Sequence, residues 1–304
     1  MILVALVVVV SGAAGALVAR HHGDRAQLTS RRLLDGMLYA LFPFVAFFNL
    51  AHLQITSGVG AGLGIAYLEL ACVGLIAWVL GDRLLGLRRP ETGALICATV
   101  LVNTGYLGLP LTSAVLGHGQ LPAAIAFDTL VSAPVLLTFG FGAGAAFGER
   151  AGSGVRERVR AFLVRNPPLL ASVAGLLAPA ALAPPALVDA SNAAVFAMLP
   201  AGFFVLGVNL QTEGRHGSRL SGPARRAVAA AVLLRLLVAP GLMLVLAAQV
   251  AGVPDAYLLQ AAMPSGIATL LVAHAYGLDL RLCSAALAWS TAIVVSVSLG
   301  ASLV

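Results

Sequence analysis

Asn103-Thr104-Gly105-Tyr106-Leu107-Gly108-Leu109-Pro110 interrupts an apolar stretch running from about residue 93 to residue 116. A stretch of that length can cross a bilayer as one helix, since a crossing needs about 20 mostly apolar residues. Proline removes a backbone donor and clashes with the carbonyl four residues earlier, while glycine permits unwinding. A helix broken at membrane depth exposes amides and carbonyls that hydrocarbon cannot satisfy, so the break must line a polar cavity or be buried in protein. Taken alone, such a break is often only a packing kink. Its weight comes from a second interruption farther on, Met263-Pro264-Ser265-Gly266-Ile267-Ala268-Thr269, in another apolar stretch.

Working outward from these two, ten apolar stretches are read, near 1–19, 33–51, 57–80, 93–116, 122–147, 167–183, 187–210, 227–250, 256–276 and 282–304. Composition agrees: 60% of residues are hydrophobic, 10% are charged, and the mean hydropathy is +0.98, far from a soluble domain. All 18 basic side chains are arginine. All but Arg235 fall in five segments: Arg20 to Arg32, Arg83 to Arg89, Arg150 to Arg165, Arg215 to Arg226, and the turn holding Arg281. Positive charge stays cytoplasmic, so these five connections are expected inside. The connections near His52 to Ser57, Gly117 to Gln120, Pro179 to Leu187 and Val253 to Ala256 carry no arginine and are expected outside, with both termini.

The first stretch could instead be a signal peptide, but it lacks a basic leading region and its first arginine follows the apolar run. The net charge of +6 is explained by loop arginines facing anionic lipid, so no nucleic-acid partner is inferred. Cys72, Cys97 and Cys283 lie apart in apolar runs and suggest neither a disulfide nor a metal site.

The polar stretch 149–166 divides the chain into 1–148 and 167–304, with five spans each. An odd number of spans per half implies two halves of opposite orientation, the signature of an inverted repeat. The broken spans, four and nine, hold corresponding places in the halves. Pro43 with Phe47-Phe48-Asn49 and Pro200 with Phe203-Phe204 and Asn209 repeat a weaker likeness in spans two and seven.

The half-helix after each break points amides carrying about half a positive charge at its surroundings. Two such ends form an anion site without a buried cation. The residues expected to bind substrate there are Asn103, Thr104, Gly105, Tyr106, Gly108 and Pro110 from span four, and Pro264, Ser265, Gly266, Ile267 and Thr269 from span nine, joined by Asn49.

At these residues the chain resembles the auxin efflux carrier family. Asn103-Thr104 with Gly108-Leu109-Pro110-Leu111 is similar to one family signature. Ala262-Met263-Pro264-Ser265-Gly266-Ile267 with Ala273-His274-Ala275-Tyr276-Gly277 is similar to a second, and Pro43 and Arg235 to Pro240 also fit. The resemblance implies an all-α, ten-helix membrane transporter whose broken helices cross. It also implies a scaffold part and a mobile part that moves a carboxylate by an elevator-like step. The large loop of the plant exporters is absent and His274 stands where lysine is usual, which favours the prokaryotic branch and malate- or malonate-like acids over auxin itself.

Three ionisable residues inside the spans, Glu69, Asp128 and Arg235, are candidates for proton or ion coupling, because an intramembrane charge is costly and usually functional. Structural hydrogen bonding is the alternative for both carboxylates. Arg235 could extend to the interface or pair with Glu69. His52, His118 and His274 sit at span ends, where histidines are commonly interfacial.

No His-Glu-x-x-His or Gly-x-Ser-x-Gly motif is present, so an enzyme is not expected. Nor is a cofactor. The partners expected are a small organic anion, the bilayer and protons, with a second copy of the chain as a candidate. The rival is a sodium-coupled organic anion symporter of the bile-acid type, which places carboxylates around its crossing. Here carboxylates near either break are missing.

Overall fold

A computed structural model describes residues 2–51, 60–151, 156–157, 160, 167–215 and 222–301. Helices make up the fold, and the described residues contain no β-strand beyond one isolated bridge. The helices are α1 (Ile2–Gly36), α2 (Phe42–Ala51), α3 (Gly60–Val79), α4 (Arg89–Val100), α5 (Leu109–Val115), α6 (Leu121–Phe127), α7 (Ala133–Val135) and α8 (Phe141–Phe147). They continue with α9 (Pro167–Leu177), α10 (Pro185–Arg215), α11 (Gly222–Leu233), α12 (Ala239–Ala247), α13 (Asp255–Ala261), α14 (Ala268–Tyr276) and α15 (Leu280–Ala301). Among the described residues, five runs are long and apolar enough to cross a membrane: Leu6–Phe48, Gly62–Leu84, Ala123–Phe147, Ala224–Ala247 and Leu280–Ser298.

The basic segment Arg20 to Arg32, expected as a loop, is helical except at His22, whose φ of −131° and ψ of 39° break the rod. The chain folds back there. Gly12 to Ala16 lie against Phe203 to Gly207 of α10, and α10 ends only eight residues later, at Arg215. Yet Met37–Leu41 and α2 also pack on α10, which a straight rod could not reach. Ala19 and Ala26, on either side of the turn, share a cluster with Val208. Arginine, alanine, leucine and glutamine are good helix formers, so the turn needs only one non-helical residue.

Small residues let these helices touch backbone to backbone. A Cβ on Gly207 would lie 1.9 Å from the Gly12 carbonyl oxygen, and one on Gly15 would lie 2.1 Å from that of Phe204. Helices α1, α2, α9 and α10 form one bundle, and α3 to α8 pack with α11 to α15 in another. Each bundle therefore draws on both sequence halves.

Prolines shape the rods in a regular way. A π turn precedes each of Pro43 (Met37–Leu41), Pro110 (Thr104–Gly108), Pro134 (Asp128–Ser132) and Pro240 (Leu234–Val238). The ring excludes the carbonyl four residues back, and the helix widens by one residue to accommodate it. The carbonyl that Pro134 frees, at Leu130, accepts the Tyr67 hydroxyl instead. Two of these widened turns hold Asp128 and Arg235.

Candidate substrate site at the helix crossing

Span four breaks after α4 and span nine breaks after α13, and the two extended breaks pair with each other. Val102 and Ser265 form an antiparallel bridge. The Asn103 amide donates to the Pro264 carbonyl at 2.9 Å, and the Gly266 amide donates to the Leu101 carbonyl at 2.7 Å. Each break thus satisfies backbone groups that the other leaves open, which buried backbone requires. The Ser265 hydroxyl adds a bond to the Ala98 carbonyl, and its amide donates to Ser290 Oγ. Gly266 must be small here, because a Cβ would approach the Val102 carbonyl oxygen to 3.0 Å.

On one side of the crossing lie the C-terminal, electronegative ends of α4 and α13. The Arg235 guanidinium binds both, donating to the Thr99 carbonyl at 2.9 Å and to the Ala261 carbonyl. Glu69 stands 3.6 Å from the same guanidinium, and both side chains are fully buried. Arg235 therefore turns inward rather than reaching the interface, because the two carbonyls and the carboxylate replace the water it loses.

On the other side lie the electropositive starts of the following half-helices, at Thr104 and Ala268. They face a cavity of about 210 Å³. Asn103, Thr104, Gly105 and Tyr106 line it from span four, and Gly266 and Ile267 from span nine. Asn103 is 3% exposed, and among the described residues neither its amide nitrogen nor its amide oxygen has a hydrogen-bond partner. Asp128 closes one side, so a carboxylate does stand beside the break of span four, contrary to the expectation from sequence: the fold brings span five against it. The Asp128 carboxylate accepts from the Thr104 hydroxyl and lies against Gly105, where a Cβ would meet it at 3.3 Å.

Other expected site residues serve the frame. Pro264 supplies a bridging carbonyl, and Pro110 occupies the first turn of α5. Gly108 makes room for Gln260, and Thr269 is fully buried without contributing to the cavity wall. The Asn49 side chain lies outside the described residues, although its helix contributes Phe42, Val45 and Ala46 to the opposite wall. Sequence reasoning missed these three, and also Thr129, Ser132 and Gln260. A lone glutamine just before Met263-Pro264 was the available signal for Gln260. His274 meets the Asp35 carboxylate at 2.8 Å, joining α14 to α1 across the two bundles.

Paired broken helices, a polar cavity at their positive ends and long apolar helices around them define a multi-pass membrane transporter. Residues 155–299 match the family described as membrane transport protein. An uncharacterized transporter of Methanocaldococcus jannaschii is 24% identical over 263 residues, covering 83% of this chain and 82% of that protein. The chain is a membrane transporter and not an enzyme, and both matches are to transport proteins.

Proposed function

We propose that the chain exports a small organic acid anion, bound by its carboxylate at the crossing, through an elevator-type alternating-access cycle. The observation that carries this reading is Asn103, a cavity-lining residue at the positive ends of two half-helices, with a side-chain amide that is buried and has no partner among the described residues. An unsatisfied buried amide costs about 1–3 kcal/mol, and a carboxylate would relieve that cost.

Ten spans in two inverted halves, 1–148 and 167–304, with both termini outside, complete the proposed architecture. The bundle of α1, α2, α9 and α10 is the scaffold, and the bundle containing the crossing is the moving part. The cavity between them suits that division, since Phe42, Val45 and Ala46 form one wall and the crossing the other.

The walls favour one class of acid. Among the described residues neither arginine nor lysine lines the cavity, and Met37, Leu136, Leu137 and Ile267 extend its apolar surface. A second carboxylate would find no cation there, so a monocarboxylate with a compact apolar body fits better than a malate-like diacid. The Asp128 carboxyl accepts from the Thr104 hydroxyl at the start of the Thr104–Gly108 turn. A substrate carboxylate arriving beside it meets a like charge unless Asp128 carries a proton, which supports proton coupling through Asp128 rather than through Glu69.

Thermal-shift screening of the purified protein against mono- and dicarboxylates, followed by transport of each hit in proteoliposomes, tests the reading. Stabilisation by compact monocarboxylates is expected. A response confined to dicarboxylates, or to neutral solutes, refutes the assigned class.

A further inference from the structure

A broken-helix carrier gathers two electronegative helix ends at one point, and that point commonly attracts a coupling cation bound by unwound carbonyls and half-helix C-termini. In this chain the position is filled from within. The Arg235 side chain, on the π turn before Pro240, donates to Thr99 in the last turn of α4 and to Ala261 at the end of α13. These carbonyls come from the two different broken helices. We infer that the Arg235 guanidinium is a tethered resident cation of the crossing, with Glu69 as its counter-charge, and that the carrier takes up no sodium or other metal cation there.

Geometry supports the substitution. Arginine stays charged in proteins and presents several donors in a fixed fork. One guanidinium can therefore hold two carbonyls and still face a carboxylate, as it does here. Arg235 and Glu69 are each 0% exposed, and the guanidinium already occupies the Thr99 and Ala261 carbonyls that a dehydrated cation would use. Lone charges at this depth would be costly, but the pair is neutral; Nη1 and Nη2 are taken by the two carbonyls, while Arg235 Nε and both Glu69 oxygens have no hydrogen-bond partner among the described residues. The charge is covalently anchored in α11 to α12, so the crossing cannot lose it between transport strokes. This role is a positioning one: Arg235 sets the angle of α4 and α13, the half-helices that lead into the crossing.

The inference rests on the crossing being the transport site, but its test needs no substrate, so its failure is separable from failure of the substrate assignment. The full-length protein in detergent is heated in sodium, lithium, potassium or choline chloride at equal ionic strength. A cation bound only to the folded state raises the melting temperature as its concentration exceeds its dissociation constant. Wild type is expected to melt at the same temperature in all four salts. Specific stabilisation by sodium or lithium overturns the inference.

Arg235→Ala provides the converse. Its melting temperature should fall, and methylguanidinium at low millimolar concentration should restore part of the loss in the variant while leaving wild type unchanged. A variant that melts like wild type, or that methylguanidinium does not rescue, contradicts the resident-cation role. Should Arg235→Ala fail to accumulate, Arg235→Lys keeps a positive charge and must remain indifferent to sodium. A sodium-stabilised lysine variant also counts against the inference.

Discussion

The amide of Asn103 donates to the carbonyl of Pro264 across the crossing, 2.9 Å apart, and this bond holds the two broken helices in register. It also restrains the Asn103 backbone, from which the side chain projects. The cavity and the Arg235 clamp sit on opposite sides of this pairing. Substrate chemistry and helix positioning are therefore separable, and substitutions can address each alone.

The Glu69 and Arg235 pair should behave as one unit. Removing either partner leaves an uncompensated buried charge, at a cost of about 3–5 kcal/mol. Glu69→Gln and Arg235→Met should each lower stability strongly, while the double variant should lose markedly less than the sum. A double-mutant cycle on thermal or denaturant unfolding measures this, and additive losses would show that the contact carries no coupling.

Asp128 should govern the pH dependence of transport. If a proton on Asp128 lets a substrate carboxylate share the start of the Thr104–Gly108 turn, binding strengthens as pH falls. Asp128→Asn then removes that dependence from net transport while leaving exchange between equal substrate pools, which moves no net proton, largely intact. Wild-type pH dependence in the variant would assign coupling elsewhere.

Close helix contact in the scaffold makes Gly207 intolerant of a side chain. Gly207→Ala drives a methyl into the Gly12 backbone, and overpacking of this kind costs about 1–3 kcal/mol. Gly142→Ala, with open space around it, should change stability by far less. Melting temperatures of the two variants check the difference directly.

Topology follows from loop charge and is open to a labelling test. In a background free of Cys72, Cys97 and Cys283, single cysteines at positions 118 and 254 should react with an impermeant reagent from outside the cell. Cysteines at positions 83 and 225 should react only after the membrane is opened. The opposite pattern would invert the proposed orientation.

Both breaks were legible in the sequence, because proline and glycine act locally and hydrocarbon penalises an open backbone. Burial of Glu69 followed from its depth alone. Less could be read where tertiary packing decides. Nothing in Arg20 to Arg32 marks His22 as the one residue at which a continuous helix reverses. Phe42, Val45 and Ala46 look like ordinary lipid-facing residues until α2 is placed opposite the crossing. The inward turn of Arg235 likewise depends on carbonyls from Thr99 and Ala261, which are remote in sequence.

The substrate site itself is tested most directly by calorimetric titration of Asn103→Ala with the tightest-binding monocarboxylate from the screen. The Asn103 side chain has no partner among the described residues, so its loss should leave the melting temperature of the free protein near wild type. Removing a hydrogen bond to a charged group costs about 1–3 kcal/mol, so affinity should fall by roughly tenfold or more. A folded variant that binds the acid as tightly as wild type would contradict carboxylate recognition at the crossing.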